Sequence, residues 1–283
     1  MFQISPETLR SRHIWNISPA AVQRISFRSA SGNVTLERGA NAEWSIVEPI
    51  SAATLPGVCD AFLNTFASLK DMSIADVERP ERDGLWIEMT LRESATPVTM
   101  MVTYADVPLS DGVSSNAVAL NWFNPATRQV QRTETESEFL PPHFGAADFF
   151  AGLRDTRILA IAPALITEMY QMIGTNAETR LTPDNAAFQT LAVLFEDFQA
   201  ERVEALVAES LDKYGLKDPA CTIRLNLISD LASPQRVLLI GAEVSQGQRY
   251  AMVKGQDSVF VLSEPATQLL MMPFRNLTTN HTN

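Results

Sequence analysis

Leu9-Arg10-Ser11-Arg12-His13-Ile14-Trp15-Asn16-Ile17-Ser18-Pro19-Ala20 returns later in the chain as Leu153-Arg154-Asp155-Thr156-Arg157-Ile158-Leu159-Ala160-Ile161-Ala162-Pro163-Ala164. Leu, Arg, Ile, Ile, Pro and Ala keep their places at one constant offset of 144 residues. Internal self-similarity decides architecture before any local reading, because each copy is one structural plan. The repeat predicts an α+β chain of two tandem units, 1–145 and 146–283. Each is a largely antiparallel sheet packed on one main helix.

The pattern downstream of each phrase supports this plan. After Pro19, Ile25 and Phe27 point inward from a strand that starts near Val22, and Ser31-Gly32-Asn33 is turn chemistry. Val34 and Leu36 share a face of a second strand, and Trp44 and Ile46 anchor a third that Pro49 stops. The period then changes. Cys59, Phe62, Phe66 and Leu69 lie three or four apart, one face of a helix, with Thr54 its expected N-cap and Pro56 in its first turn. Further strands are expected at 74–77, 85–91, 98–104, 117–122 and 128–132.

In the second unit, strands are expected at 165–173 and 178–181, followed by a helical stripe of Phe188, Leu191, Phe195 and Phe198. This stripe repeats the first one at an offset of 129, so 15 residues have gone, and with them the counterpart of the Trp44–Pro49 strand. The second unit is therefore expected to lack that strand. Beyond the stripe come strands at 221–227, 236–240, 249–253 and 259–262, hairpin turns at Gln246-Gly247 and Lys254–Asp257, and a short terminal helix over 265–272. The junction Phe139–Phe150 carries Pro141-Pro142 and four aromatics, and reads either as a packed connector or as a mobile linker.

Bulk properties exclude some functions. The 283 residues carry 22 basic and 33 acidic side chains, net −11, which repels phosphate backbones and anionic lipid, so no nucleic-acid partner is expected. No charged start leads an apolar run, and no stretch approaches the ~20 apolar residues that span a bilayer. The chain by itself reads as soluble. Cys59 and Cys221 read as buried small apolar residues, with a bridge between them as the alternative.

Chemistry-bearing constellations are sparse. His13, His143 and His281 stand alone, and the repeat replaces His13 by Arg157, which favours a surface polar contact over a metal ligand. No nucleophile elbow, phosphate loop or H-E-x-x-H stands in the sequence, and no cofactor, metal or catalytic residue is assigned. Glu134, Glu136 and Glu138 alternate with hydroxyl residues; they read as a guarded strand edge, or as a seat for a hard cation. Glu196-Asp197 reads as the wet side of its helix. Trp122 and Phe123 are adjacent on a hairpin, so one of them is exposed to grip a partner, or else they close the end of the sheet. Phe144, in the junction, is a third candidate partner contact. Arg10 and Arg154 recur at equivalent places and read as forks to a buried carboxylate or to backbone carbonyls.

One segment of the second unit has a distinctive order: Tyr214-Gly215-Leu216-Lys217-Asp218-Pro219, a strand with Ile223 and Leu225, then Leu239-Ile240-Gly241, Gly247-Gln248-Arg249-Tyr250 and Val259-Phe260-Val261. This order resembles the bacterial family called domain of unknown function 4340, with its YGL-x-x-P turn, L-x-G strand and G-x-x-Y strand. The resemblance covers most of the second unit and the first half of the first. There Arg82-Asp83-Gly84-Leu85 stands where the YGL-x-x-P turn belongs, without its Tyr or Pro. In the turn itself, Gly215 is expected to close a helix at positive φ, Pro219 to force extension, and Tyr214 to pack over the sheet.

The resemblance implies an extracytoplasmic protein. Its membrane contact would run only through an anchor absent from this chain, and in some relatives it would stand beside auxiliary components of gliding-type ABC transporters. The expected function is a non-catalytic envelope scaffold with a protein partner. The rival expectations are a module that binds a cell-wall polymer or small ligand in the cleft between the units, and, less favoured, an enzyme. Met272–Leu277 faintly echoes the Leu-Arg phrase, as in a longer repeat protein.

Overall fold

The computed structural model describes residues 17–68, 73–75, 84–94, 96–104, 117–124, 129–136, 147–228 and 234–277. The chain forms two compact units, Met1–Arg154 and Asp155–Asn283. Both are α+β, with antiparallel sheets and few helices.

The first unit opens with a 3-10 turn at Pro19–Ala21 and strand β1 (Val22–Ser29). There follow β2 (Gly32–Arg38), β3 (Trp44–Glu48), β4 (Ala52–Ala53), helix α1 (Val58–Ser68) and β5 (Ser73–Ala75). The rest of its sheet is β6 (Leu85–Leu91), β7 (Val98–Tyr104), β8 (Ala117–Asn124) and β9 (Gln129–Glu136), and helix α2 (Ala147–Gly152) closes the unit. Among the described residues the sheet order is β4-β3-β2-β1-β6-β7-β8-β9-β5. Alternation decides which side chains go inside. Ile25, Phe27, Leu36, Ile46, Ile87 and Met89 are buried, and Ile25 pairs across the ladder with Leu36 on one side and Met89 on the other. The α1 stripe of Cys59, Phe62 and Phe66 lies against this core, with the Phe27 and Phe62 rings edge to face at 5.1 Å. Burying each such ring stabilises by about 1.5–3 kcal/mol.

Two expectations for this unit need correction. Thr54 does not cap α1, which starts at Val58. The Thr54 hydroxyl donates to the Trp44 carbonyl at 3.0 Å, and its backbone forms a bridge with Arg154, so Thr54 is held in extended structure. The boundary also falls after Arg154 rather than after Gly145. The cause is α2: the Phe149 ring meets Phe27 at 5.7 Å, Phe150, Ala151 and Leu153 are buried, and the Leu55 amide donates to the Leu153 carbonyl at 2.9 Å. The aromatics at the end of the junction thus belong to the first core. Phe139 and Phe144 lie outside the described residues.

The second unit contains β10 (Arg157–Leu159), a 3-10 turn at Pro163–Leu165, β11 (Ile166–Ile173), β12 (Thr179–Leu181), helix α3 (Ala186–Glu196), β13 (Phe198–Gln199) and β14 (Arg202–Ala205). Beyond a 3-10 turn at Asp212–Tyr214 come β15 (Cys221–Leu227), β16 (Gln235–Ser245), β17 (Gln248–Val253) and β18 (Val259–Leu262), then α4 (Glu264–Met271) and α5 (Phe274–Leu277). The main sheet runs β12-β11-β15-β16-β17-β18-β14, and β10 and β13 pair separately. Asn185 caps α3 by accepting from the Ala187 amide at 2.8 Å, and Phe188, Leu191 and Phe195 are buried. Phe198 is not on that helix: Asp197 leaves helical geometry, and Phe198 pairs from β13 with Leu159 while its ring stays 5.7 Å from Phe195.

The end of the second unit is fastened by one buried side chain. Gln171 donates through Nε2 to the Leu270 carbonyl at 2.8 Å and the Met272 carbonyl at 3.0 Å, and accepts from the Phe274 amide at 2.9 Å. Its amide thus ties the last turn of α4, Met272 and the first residue of α5 to β11.

Candidate functional site

The distinctive segment of the second unit converges on one face of its sheet. Leu211 leads into the 3-10 turn Asp212–Tyr214, and Gly215 ends it at φ 63, the left-handed geometry that a side chain disfavours. The Leu216 amide then reaches back to the Leu211 carbonyl at 2.9 Å. This places Tyr214 and Leu216, both buried, against Met252 and Val259, with Leu239 and Tyr250 packed alongside. The Tyr214 and Tyr250 rings meet edge to face at 5.1 Å. Arg249 donates from Nη1 to the Gly241 carbonyl at 2.8 Å, which joins the L-x-G and G-x-x-Y strands to the same cluster. Burial, then nearby Glu204 and Tyr214, push the Tyr250 hydroxyl above its ordinary value. Lys213 stacks 5.3 Å from the Tyr214 ring centre, and its ammonium is held above its usual value first by Tyr214 and then by Glu209.

A cavity of about 470 Å³ opens beside this cluster. One wall is the segment Leu211–Pro219, the other the hairpin turn Lys254–Asp257. Leu239 and Met252 supply the floor, and Lys217 and Lys254 the cationic rim. The Ala208 amide donates to the Asp257 carbonyl at 2.9 Å, and the Ser258 hydroxyl to the Leu206 carbonyl at 2.8 Å, so both walls are tied down. An apolar floor with a few polar groups at its edge is how proteins hold ligands.

A polar network covers part of the same unit. The Glu168 carboxylate accepts from the Tyr170 hydroxyl at 2.8 Å and the Asn226 amide at 3.0 Å, and from Arg180. These hydrogen bonds, Tyr170 first, hold its carboxyl below the ordinary range. The Arg224 guanidinium lies 4.1 Å over the Tyr170 ring and pairs with Glu178 at 2.7 Å. The network links β12, β11 and β15 across the surface of the sheet.

The residues singled out in the sequence fare differently. Pro219 lines the cavity, while Tyr214 is buried in the cluster beside it and Gly215 closes the 3-10 turn. Phe123 is buried against Met101 with Trp86 packed beside it, which corrects its expected place as a partner contact: it has almost no surface to offer. The Trp122 side chain, Arg10, Phe144, the three histidines and the side chains of Glu134, Glu136 and Glu138 lie outside the described residues. Arg154 is placed by backbone, its amide bonded to the Ala151 carbonyl at 3.1 Å. Both cysteines are free and buried, and burial pushes each thiol up to about 12. Among the described residues no three His, Cys, Asp or Glu side chains gather as a metal site, and no helix is long and apolar enough to cross a membrane. The cavity itself was missed. Its signal was the lysine distribution: of four lysines, Lys70, Lys213, Lys217 and Lys254, three fall on this face.

Fold and site together define a small antiparallel α+β domain with a helix on one side of its sheet and a grooved loop layer on another part. Residues 175–280 match the family model described as Domain of unknown function (DUF4340). The matched stretch lies wholly within the second unit. No curated protein and no solved structure matches the chain.

Proposed function

We propose that the chain is a non-catalytic interaction module of the bacterial cell envelope, extracytoplasmic and held to a membrane by an anchor outside this sequence. It would be built from two copies of one sheet-and-helix frame, the second of which recognises another protein. The association with an ABC-transporter system belongs to this reading through the family resemblance.

The observation that carries it is the use made of the family's signature residues. Tyr214, Gly215, Leu216, Gly241, Arg249 and Tyr250 pack on one another and hold the turn in place, and Leu216, with its neighbours Leu211, Lys217 and Pro219, forms one wall of a groove. Duplication is supported by matching elements. β1 and β11 span Val22–Ser29 and Ile166–Ile173, keeping the offset of the repeated phrase at both ends. The strand orders β2-β1-β6-β7-β8-β9-β5 and β12-β11-β15-β16-β17-β18-β14 correspond one to one, with β3 and β4 extra in the first unit.

The test is photo-crosslinking from a probe residue at position 211 or 256 in native envelope membranes. One specific partner protein, crosslinked from these positions and not from position 193 on the exposed face of α3, is expected. Crosslinks equal at all three positions, or none at 211 and 256, would remove the proposal.

A further inference from the structure

We infer that the groove between Leu211–Pro219 and Lys254–Asp257 receives an aromatic side chain, tryptophan before others, carried on a segment of the partner protein. This rests on the interaction-module reading and names the chemistry of its partner.

The first unit covers the equivalent place with a ring of its own. Trp86 is the second residue of β6. It pairs with Arg28 of β1 and Met101 of β7, and Met101 pairs with Phe123 of β8. Thr222 is the second residue of β15. It pairs with Met172 of β11 and Leu239 of β16, and Leu239 pairs with Met252 of β17. Met172 follows Arg28 by 144 residues, the offset of the repeated phrase, so the two rows correspond residue for residue. On the first row Met101 and Phe123 are buried, and Trp86 packs against them. On the second, Thr222 has no ring to lay over the pair. Leu239 is half-buried where Met101 is 3% exposed, and Leu239 and Met252 lie in the lining of the 470 Å³ cavity.

The remaining lining suits a flat apolar body with one polar edge. Leu211, Leu216 and Pro219 offer apolar wall, and the Met252 thioether is attracted to aromatic rings. Gln256 and Asp257 on the facing turn offer acceptors for an indole N–H. The rim charges select no ion: Lys217 is bonded to Asp212 at 3.3 Å, and Asp257 stands across from it. A neutral ring is therefore the better fit. Leu211 is 39% exposed, and Val207, next to the lining residue Ala208, is 45% exposed. This apolar surface beside the ring's seat would be covered by the segment that carries the ring, which favours a protein partner over a free aromatic compound.

Methyl NMR with the full chain tests this, reading the signals of Leu239 and Met252. The probes are N-acetyltryptophanamide, N-acetylleucinamide and free indole. Saturable shifts are expected with the capped tryptophan, binding about fivefold weaker or more for the capped leucine, and indole no tighter than the capped tryptophan. Thr222→Trp sets a ring where Trp86 has one and should abolish the shifts. Thr222→Val adds no ring and should bind as the parent does. Circular dichroism confirms folding, and the three-probe comparison on the parent chain stands without any variant. Non-saturable shifts, equal affinity for the two capped residues, tighter binding of indole, or undiminished binding by folded Thr222→Trp would each overturn the inference. Crosslinking from 211 and 256 should also be lost in Thr222→Trp. Undiminished capture there would overturn the aromatic occupant and leave the interaction module standing, whereas no capture by the parent chain would remove the module and this inference with it.

Discussion

Gly241 and Gly215 meet backbone to backbone: a Cβ on Gly241 would lie 2.2 Å from the Tyr214 carbonyl oxygen and 3.1 Å from the Gly215 carbonyl carbon. A Cβ on Gly215 would in turn approach the Ala242 amide nitrogen at 2.7 Å. The Tyr214–Pro219 turn and the Leu239–Gly241 stretch of β16 are therefore two halves of one contact. Glycine is required at both because main chain occupies the space of a side chain, and at Gly215 also because φ is 63.

Gly241→Ala should accordingly cost about 1–3 kcal/mol, at the upper end because the colliding atoms are backbone and cannot swing away. In a thermal melt that is a shift of roughly 2–4 °C per kcal/mol for a domain of this size. Gly152→Ala is the control. It ends α2 with nothing within 4 Å of the added carbon, and should be neutral or slightly stabilising. Equal losses in the two variants would show that the turn does not rest on Gly241.

Gln171 makes a second prediction. It occupies the sixth position of β11, as Phe27 does in β1, but where Phe27 meets a ring from α2, Gln171 holds the main chain between α4 and α5. Gln171→Met preserves volume and removes all three hydrogen bonds. Leaving buried backbone groups unpaired costs about 1–3 kcal/mol each, less where water can enter, so a total loss of roughly 2–4 kcal/mol is expected. Hydrogen exchange at the amide of Phe274 should speed up more than at the amides of β15. Uniform acceleration would mean that the glutamine supports the whole sheet rather than its terminal clasp.

These two cases show which features were legible. Strands 221–227 and 259–262 were read with their true bounds, because Ile223, Leu225 and Leu227 alternate in a sheet and because a run such as Val259–Leu262 is buried on both faces. The helices were read from their Phe stripes, yet α1 started late and Phe198 left α3, since a stripe records burial and not hydrogen bonding. The boundary was misplaced because α2 is held by contacts with Phe27 and Leu55 that lie far away in sequence. The groove had no motif of its own. Its lining comes from four separate segments, and only the lysine distribution pointed to it. Gln171 was visible as a polar residue in an inward register, but its partners lie at 270–274 and no periodicity connects them.

Glu168 should make stability depend on acid. Its carboxyl is held below its ordinary 4.5 by Tyr170, Asn226 and Arg180, so its contribution is present above that value and is lost as pH falls through the lower folded value. The melting temperature of Glu168→Gln should therefore fall below the parent's at pH 6, and the gap should close as pH is lowered beneath 4. A gap that stays constant with pH would assign the effect to packing.

The two thiols act at the opposite end of the scale. Cys59 and Cys221 are pushed from 9.0 to about 12, in each case first by burial. A folded value above the unfolded one means that the protein's advantage is complete below pH 9 and declines as pH rises toward 12, because unfolded chains ionise first. At pH 10.5 each thiol should have cost about 2 kcal/mol relative to pH 8. The expected signature is a melting temperature that drops between pH 8.5 and 10.5, less steeply in the double variant Cys59→Ala, Cys221→Ala. Labelling by a thiol reagent at pH 8 should be slow in the folded chain and should appear with unfolding in urea. Rapid labelling of the folded chain would show that solvent reaches a thiol, and the drop with pH would then lose its cause.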